Sequence, residues 1–237
     1  MLKKITLFFL FLLLSFPIYS QSVNANKDLH KWFDASIGQE NTGLLDGFEV
    51  KDLYKSKNGD HKFYKSSLFQ LGNITYKGQQ YFDVEMKYDI NEDELIVRIP
   101  TQTLMQTIQL IKEKVEIFSM NESKFIALKN VSNYDYGFYQ VLYDGEKMSL
   151  YKKNMKTSNK YYSGRAIFYN FSGKEEYFLY FKGEYHKISK SKKSIKKLLP
   201  EYNKEIDLFY KSQNELLRRN YDLFVQKLVS TLNSTNK

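Results

Sequence analysis

Between Ile74 and Ile99 apolar and polar residues alternate with almost no interruption. Successive side chains of an extended backbone point to opposite faces, so Phe82, Val84, Met86, Tyr88 and Ile90 share one side, while Tyr81, Asp83, Glu85, Lys87 and Asp89 share the other. This pattern predicts a strand with one buried and one wet face. Gly78, in Tyr76-Lys77-Gly78, supplies a tight turn before it, and Asn91-Glu92-Asp93-Glu94 a polar reversal after it. Leu95, Val97 and Ile99 then resume the alternation, which makes the stretch an antiparallel meander.

The same punctuation recurs along the chain. Upstream, Leu44-Leu45-Asp46-Gly47-Phe48 and Asn58-Gly59-Asp60-His61 read as turns, and Phe63, Tyr64, Leu68, Phe69 and Leu71 form or flank a further strand. Downstream, strands are predicted at Ile108 to Ile111, Val115 to Met120, Phe125 to Leu128, Tyr139 to Tyr143 and Met148 to Tyr151, with Asp144-Gly145 as a type I′ hairpin signature. A polar interval from Lys152 to Lys160 follows. Ala166 to Phe171, Tyr177 to Phe181 and Tyr185 to Ile188 then read as strands separated by Ser172-Gly173 and Lys182-Gly183. About ten strands with short turns and no long helix between them predict a mainly β fold: an antiparallel meander forming a barrel-like or sandwich domain over residues 43–189.

At Ser189 the period changes. Ser191 is placed to cap a short helix with Ile195, Leu198 and Leu199 on one face; Pro200 ends it and opens a second with Ile206, Phe209 and Tyr210 inward. Asn220 caps a last helix in which Tyr221, Phe224, Val225, Leu228, Val229 and Leu232 form one apolar stripe. Residues 190–233 are thus a small C-terminal α-helical element.

The N-terminus has the layout of a secretory leader: Lys3 and Lys4, an apolar run from Ile5 to Leu14, and a cleavage position after Ser20. Residues 1–20 read as a signal peptide and 21–42 as a polar lead. The expected compartment is periplasm, outer surface or secreted, with no transmembrane span once the leader is removed. Absence of cysteine suits a bacterial envelope better than a disulfide-dependent secretory route. The net charge of +9 becomes +7 when the two leader lysines are removed. Export makes nucleic acid a poor partner for that charge and leaves anionic lipid or a lipopolysaccharide surface. The candidate contact residues are Lys187, Lys190, Lys192, Lys193, Lys196 and Lys197, around the start of the helical element.

Candidate chemistry is sparse. His30, His61 and His186 are far apart, without a second histidine at ligand spacing, and no serine sits in a G-x-S-x-G turn. Asp89, Asn91 and Asp93 begin a calcium-loop pattern, but Glu94 stands where glycine is required and Pro100 where the bidentate glutamate belongs. Asp83, Glu85 and Asp89 alternate with Lys87 on the predicted wet face and read as a solvated row rather than a glycosidase pair. No cofactor is indicated.

Leu44-Leu45-Asp46-Gly47, Asp60-His61-Lys62-Phe63, Ile74 to Tyr81, Lys87-Tyr88-Asp89-Ile90 and Gly137 to Tyr143 occur in an order that resembles a family of exported, signal-peptide-bearing Gram-negative bacterial proteins with no assigned activity. The resemblance implies compartment and architecture, and no functional residue. The expected function is a non-catalytic binding or structural protein of the cell envelope. The alternatives are a lipocalin-like carrier of a small apolar ligand, and an envelope enzyme acting on glycan or peptide, for which carboxylates converging from different strands would be the mark.

Overall fold

The computed structural model describes residues 27–32, 36, 38, 42–51, 54–101 and 103–235; the predicted leader and most of the polar lead lie outside them. Eleven strands form one antiparallel sheet: β1 (Gly47–Glu49), β2 (Gln70–Tyr76), β3 (Gln79–Asp89), β4 (Glu94–Pro100), β5 (Met105–Leu110), β6 (Val115–Met120), β7 (Ser123–Val131), β8 (Tyr134–Asp144), β9 (Met148–Ser163), β10 (Ala166–Phe181) and β11 (Glu184–Ile188). Their order is β1-β5-β4-β3-β2-β6-β7-β8-β9-β10-β11, so two meanders are joined where β6 pairs with β2. The sheet is mainly β and antiparallel as the patterning predicts, and it stays open, with β1 and β11 at its edges.

Part of it is strongly curled. β5 and β6 stand four places apart in the sheet, about 19 Å if the strands lay flat. Yet the residues joining them include the compact 3-10 turn Lys112–Lys114. Only a curled sheet brings the two ends that close. The turn is fixed from inside: Tyr76 Oη accepts from Ile111 N at 3.3 Å, and Tyr136 Oη lies 3.1 and 3.0 Å from the carbonyls of Lys112 and Val115. Aromatic rings fill the curl. Tyr88, Phe118, Phe125 and Phe138 are buried together, with Phe118 stacked on Phe125 at 4.7 Å and edge-on to Phe138 at 5.2 Å.

The Ile74 to Ile99 meander differs from strict alternation at one place. Gly72 pairs with Val84 but Ile74 with Tyr81, so Phe82 and Asp83 together face Asn73. Asp83 takes a left-handed φ of 53°, and its N–H donates to Asn73 Oδ1 at 3.1 Å. This bulge shifts the face by one residue. Tyr81, predicted wet, is therefore buried, and Phe82, predicted core, is half-buried beside His30. Beyond the bulge Val84, Met86, Tyr88 and Ile90 are buried as predicted, as are Leu95, Val97 and Ile99.

The predicted breaks at Lys152 to Lys160 and Ser172-Gly173 are absent. β9 and β10 run sixteen residues each and stay in register from Ser163↔Ala166 to Met148↔Phe181. Two of the lysines that suggested a loop have carboxylate partners, and Lys156 and Asn154 donate to His61 O and Gln140 Oε1. Lys152 pairs with Glu175 at 2.6 Å and Asp222 at 2.7 Å, and Lys153 with Asp93 at 2.6 Å. Residues 54–60 lie along the outer edge of β10: Tyr169 N donates to Lys55 O at 2.8 Å and Phe171 N to the Asp60 carboxylate at 2.7 Å. Asn58 and Gly59 both take positive φ, as their predicted turn requires.

The C-terminal element contains α1 (Lys192–Leu198), a 3-10 turn at Pro200–Tyr202, α2 (Asn203–Ser212), α3 (Asn214–Arg219) and α4 (Tyr221–Ser234). All six predicted stripe residues of α4 are buried, against Met148, Leu150, Tyr177, Leu179 and Phe181 of the sheet. Asn220 caps α4 by accepting from Leu223 N at 3.0 Å, whereas Ser191 holds the cap position of α1 without a side-chain bond. Among the described residues no helix is long and apolar enough to cross a membrane.

Asp93 ties these parts together. Its carboxylate pairs with Lys153 at 2.6 Å and Lys112 at 2.8 Å and accepts from Tyr88 Oη at 2.5 Å. Burial alone would raise its pKa; the two ammonium groups outweigh burial and hold the carboxyl below its ordinary value. Asp93→Ala leaves Lys153 buried without its counter-ion, and a loss of about 3–5 kcal/mol is expected in urea unfolding. Because the folded pKa is depressed, this contribution is complete above the ordinary carboxylate range, about pH 4, and is lost as pH falls through the folded value. The acid limb of stability is expected to be steeper in the wild type than in Asp93→Asn. Asn220→Ala should cost about 1 kcal/mol in the same assay.

Candidate functional site

Alternation along β4 turns Leu95, Val97 and Ile99 into the curl and leaves Glu94, Ile96 and Arg98 on the outer face. The ladder extends this outer row: Lys87 opposite Ile96, Ile96 opposite Gln109, Gln109 opposite Phe48. Ile96 is nevertheless only 4 % exposed. It forms the floor of a cleft of about 460 Å³, walled by Phe48, Glu49, Val50 and Lys51 from β1 onward, by Tyr54, and by Lys62, Asp89, Glu92 and Glu94.

The charges in this cleft are arranged in sequence-local steps. Asp89 ends β3 and is 1 % exposed; one oxygen accepts from Asn91 N at 3.0 Å and Glu92 N at 3.2 Å, closing the turn. Its other oxygen pairs with Lys62 Nζ at 2.9 Å, and that ammonium also lies 5.0 Å from the centre of the Tyr54 ring. Tyr54 Oη donates to Glu92 Oε1 at 2.5 Å, which raises the tyrosine's pKa. Burial, with the charges of Asp89 and Glu92 next in size, pushes the Glu94 carboxyl above its ordinary value. The result is a cleft with an apolar floor, exposed Phe48 at its rim, and hydrogen-bond acceptors around it.

Three of the sequence-predicted lysines are paired with carboxylates. Lys187 pairs with Glu176 at 2.7 Å, and Lys192 and Lys196 converge on Asp207 at 2.9 and 2.7 Å. Lys193 and Lys197 are exposed on α1. Lys190 precedes the helix and stands 5.0 Å over the Tyr221 ring.

The calcium-like residues part company, Asp89 turning to Lys62 and Asp93 to Lys112 and Lys153. Of the carboxylate row, Asp83 meets Lys27 and Lys31, and Glu85 is held bidentate by Arg98 at 2.7 Å. Asp89, predicted wet, is buried because the loop carrying Lys62 crosses it: Ile90 N donates to Lys62 O at 3.1 Å, and Phe63 bridges to Asp89. His61 Nδ1 accepts from Phe63 N at 3.2 Å; burial and then Lys156 lower its pKa.

None of Glu49, Lys51, Tyr54, Lys62, Glu92 and Glu94 was read from the sequence as a site residue; Lys62, Glu92 and Glu94 entered there only as members of a motif or a turn. One signal was present. Leu95-Ile96-Val97 is apolar without a break, so Ile96 occupies a position that alternation assigns to solvent and must be covered by something. The electrostatics are open to test: Glu92→Gln removes one of the charges raising Glu94, and a carboxyl-carbon NMR titration should show the Glu94 pKa moving down toward the ordinary glutamate range. In comparison with known proteins, no family model, no curated protein and no solved structure matches the chain.

Proposed function

We propose that the chain is an exported, non-catalytic binding protein of the bacterial cell envelope, and that the cleft over Ile96 is its recognition site for a hydroxyl-rich ligand of saccharide size. The cleft itself is the observation that carries this reading. Its volume of about 460 Å³ lies in the range of small-ligand sites, and it combines the two surfaces a sugar needs. Exposed Phe48 and the Tyr54 ring offer flat apolar faces, while Glu49, Glu94 and Gln109 offer acceptors for hydroxyl groups. Asp89 and Glu92 are already engaged by Lys62 and Tyr54, an arrangement that favours holding a ligand over turning it over. Export rests on the basic-led apolar leader and the absence of cysteine.

Glu94 supports a second reading, an enzyme acting on envelope glycan. A carboxyl of raised pKa on β4 lines the same cleft as Glu49 of β1, so acids from different strands meet one cavity. An apolar cargo has less support, because aromatic side chains occupy the inside of the curl.

Titration with soluble envelope glycan fragments, followed by NMR at the Ile96 methyl groups, tests the proposal. Saturable shifts centred on Ile96 are expected, weakened about tenfold by Phe48→Ala, the scale of one lost aromatic contact. Cell fractionation should recover the protein outside the cytoplasm. Shifts confined to other surfaces would refute the cleft, and glycan cleavage lost in Glu94→Gln would select the enzyme.

A further inference from the structure

A second concavity, of about 470 Å³, lies where the β9–β10 hairpin meets the loop before β2 and the loop before α1. Its lining is cationic. Lys65, Lys174 and Lys190 contribute to it from three separate segments, against one carboxylate, Glu175. That carboxylate is already engaged by Lys152 at 2.6 Å and by Tyr177 Oη at 3.1 Å. Lys174 pairs with Glu176 at 2.7 Å. Lys65 and Lys190, in contrast, have no carboxylate partner among the described residues; each ammonium instead lies about 5 Å from the centre of an aromatic ring, 5.1 Å for Lys65 on Tyr64 and 5.0 Å for Lys190 on Tyr221. A cation over a ring keeps its N–H donors for another acceptor.

Both lysines issue from pinned backbone. Tyr64 N donates to Tyr88 O at 2.8 Å and its buried hydroxyl meets Ser123 Oγ at 3.0 Å. The next residue, Lys65, then takes a left-handed φ of 52°, a conformation that a residue with a Cβ rarely adopts. On the other side Tyr221 Oη donates to Ser189 O at 3.3 Å, and Ser191 N to Ser189 Oγ at 3.3 Å, fixing the loop around Lys190. The fold therefore brings two exposed cations without carboxylate partners to one cavity from separate segments of the chain.

We propose that this cavity is a binding site for a phosphate-type oxyanion, with Lys65 and Lys190 as its principal ligands and Lys174 at its edge. Lysine ammonium groups bind phosphate as point charges, and the cavity has room for the group that carries the phosphate. The shared chemistry covers a free phosphate ester and a phospholipid headgroup. This site is separate from the acidic cleft, and its test does not depend on the ligand of that cleft.

The experiment titrates the full chain with inorganic phosphate and with glycerol phosphate, reading backbone amide shifts. In parallel it measures sedimentation with phosphatidylglycerol vesicles and with phosphatidylcholine vesicles. Saturable shifts at Lys65 and Gly173, or sedimentation with the anionic vesicles alone, are expected. The double variant Lys65→Gln/Lys190→Gln should weaken either by at least about tenfold, as loss of charge-assisted bonds requires. Gly173→Glu provides a second probe: a Cβ there meets nothing within 4 Å, so the strand tolerates it while a carboxylate enters the cavity. It should abolish binding with the far-ultraviolet spectrum unchanged. Lys193→Gln/Lys197→Gln, exposed charges on α1, should change neither readout. Soluble-phosphate shifts without vesicle binding assign a free ester, and vesicle binding assigns a lipid headgroup. Equal weakening by the Lys193/Lys197 pair, or no saturable response in either arm, overturns the proposal.

Discussion

The half-buried carboxylate of Asp93 is the constraint on which the rest of the molecule depends. It sits in the turn between β3 and β4, yet its two lysines come from the connector after β5 and from β9. A buried ion pair returns little net stability, since attraction is set against desolvation. What it fixes is position. The curl of the first meander, the short passage to β6 and the base of the long hairpin meet at one oxygen atom, with Tyr88 completing the shell from the aromatic core. Apolar replacements could fill the same volume without specifying which three segments must meet.

The sequence made much of this architecture legible, and the misses have physical causes. Where side chains alternate and one face is wet, as in Val84 to Ile90 and Leu95 to Ile99, patterning placed strand and face correctly. Where i, i+3, i+4 spacing met a cap at Asn220, it placed the last helix and its buried stripe. The bulge at Asp83 escaped because an aspartate can hold a left-handed conformation without announcing it in any periodicity. The polar interval of β9 escaped because its side chains are satisfied by groups distant in sequence: Lys152 and Lys153 by Glu175, Asp222 and Asp93, and Lys156 by the carbonyl of His61. The cleft was hidden for a related reason: it is made by a segment lying across a finished sheet, and only the misplaced Ile96 hinted at it.

That crossing segment links the two concavities. Between Tyr54 and Lys65 the chain contributes Tyr54 and Lys62 to the acidic cleft, runs beside the outer edge of β10, and delivers Lys65 to the basic cavity. Charge is thereby sorted by position on a chain whose net charge is +9. Carboxylates gather at the outer face of the first meander, and unpaired ammonium groups gather where the second meander meets the helices.

The strand order has a kinetic meaning. Nearly every ladder joins strands adjacent in sequence, so each meander can zip locally, hairpin by hairpin, with little loop entropy to overcome. The β2–β6 and β1–β5 ladders are the exceptions, matching Gly72 to Met120 and Glu49 to Ile108 across long intervening chain. Two locally assembled arrays are thus joined only through pairings distant in sequence, β2 with β6 between the meanders and β1 with β5 at the far edge, and these are the contacts whose loop entropy folding must overcome.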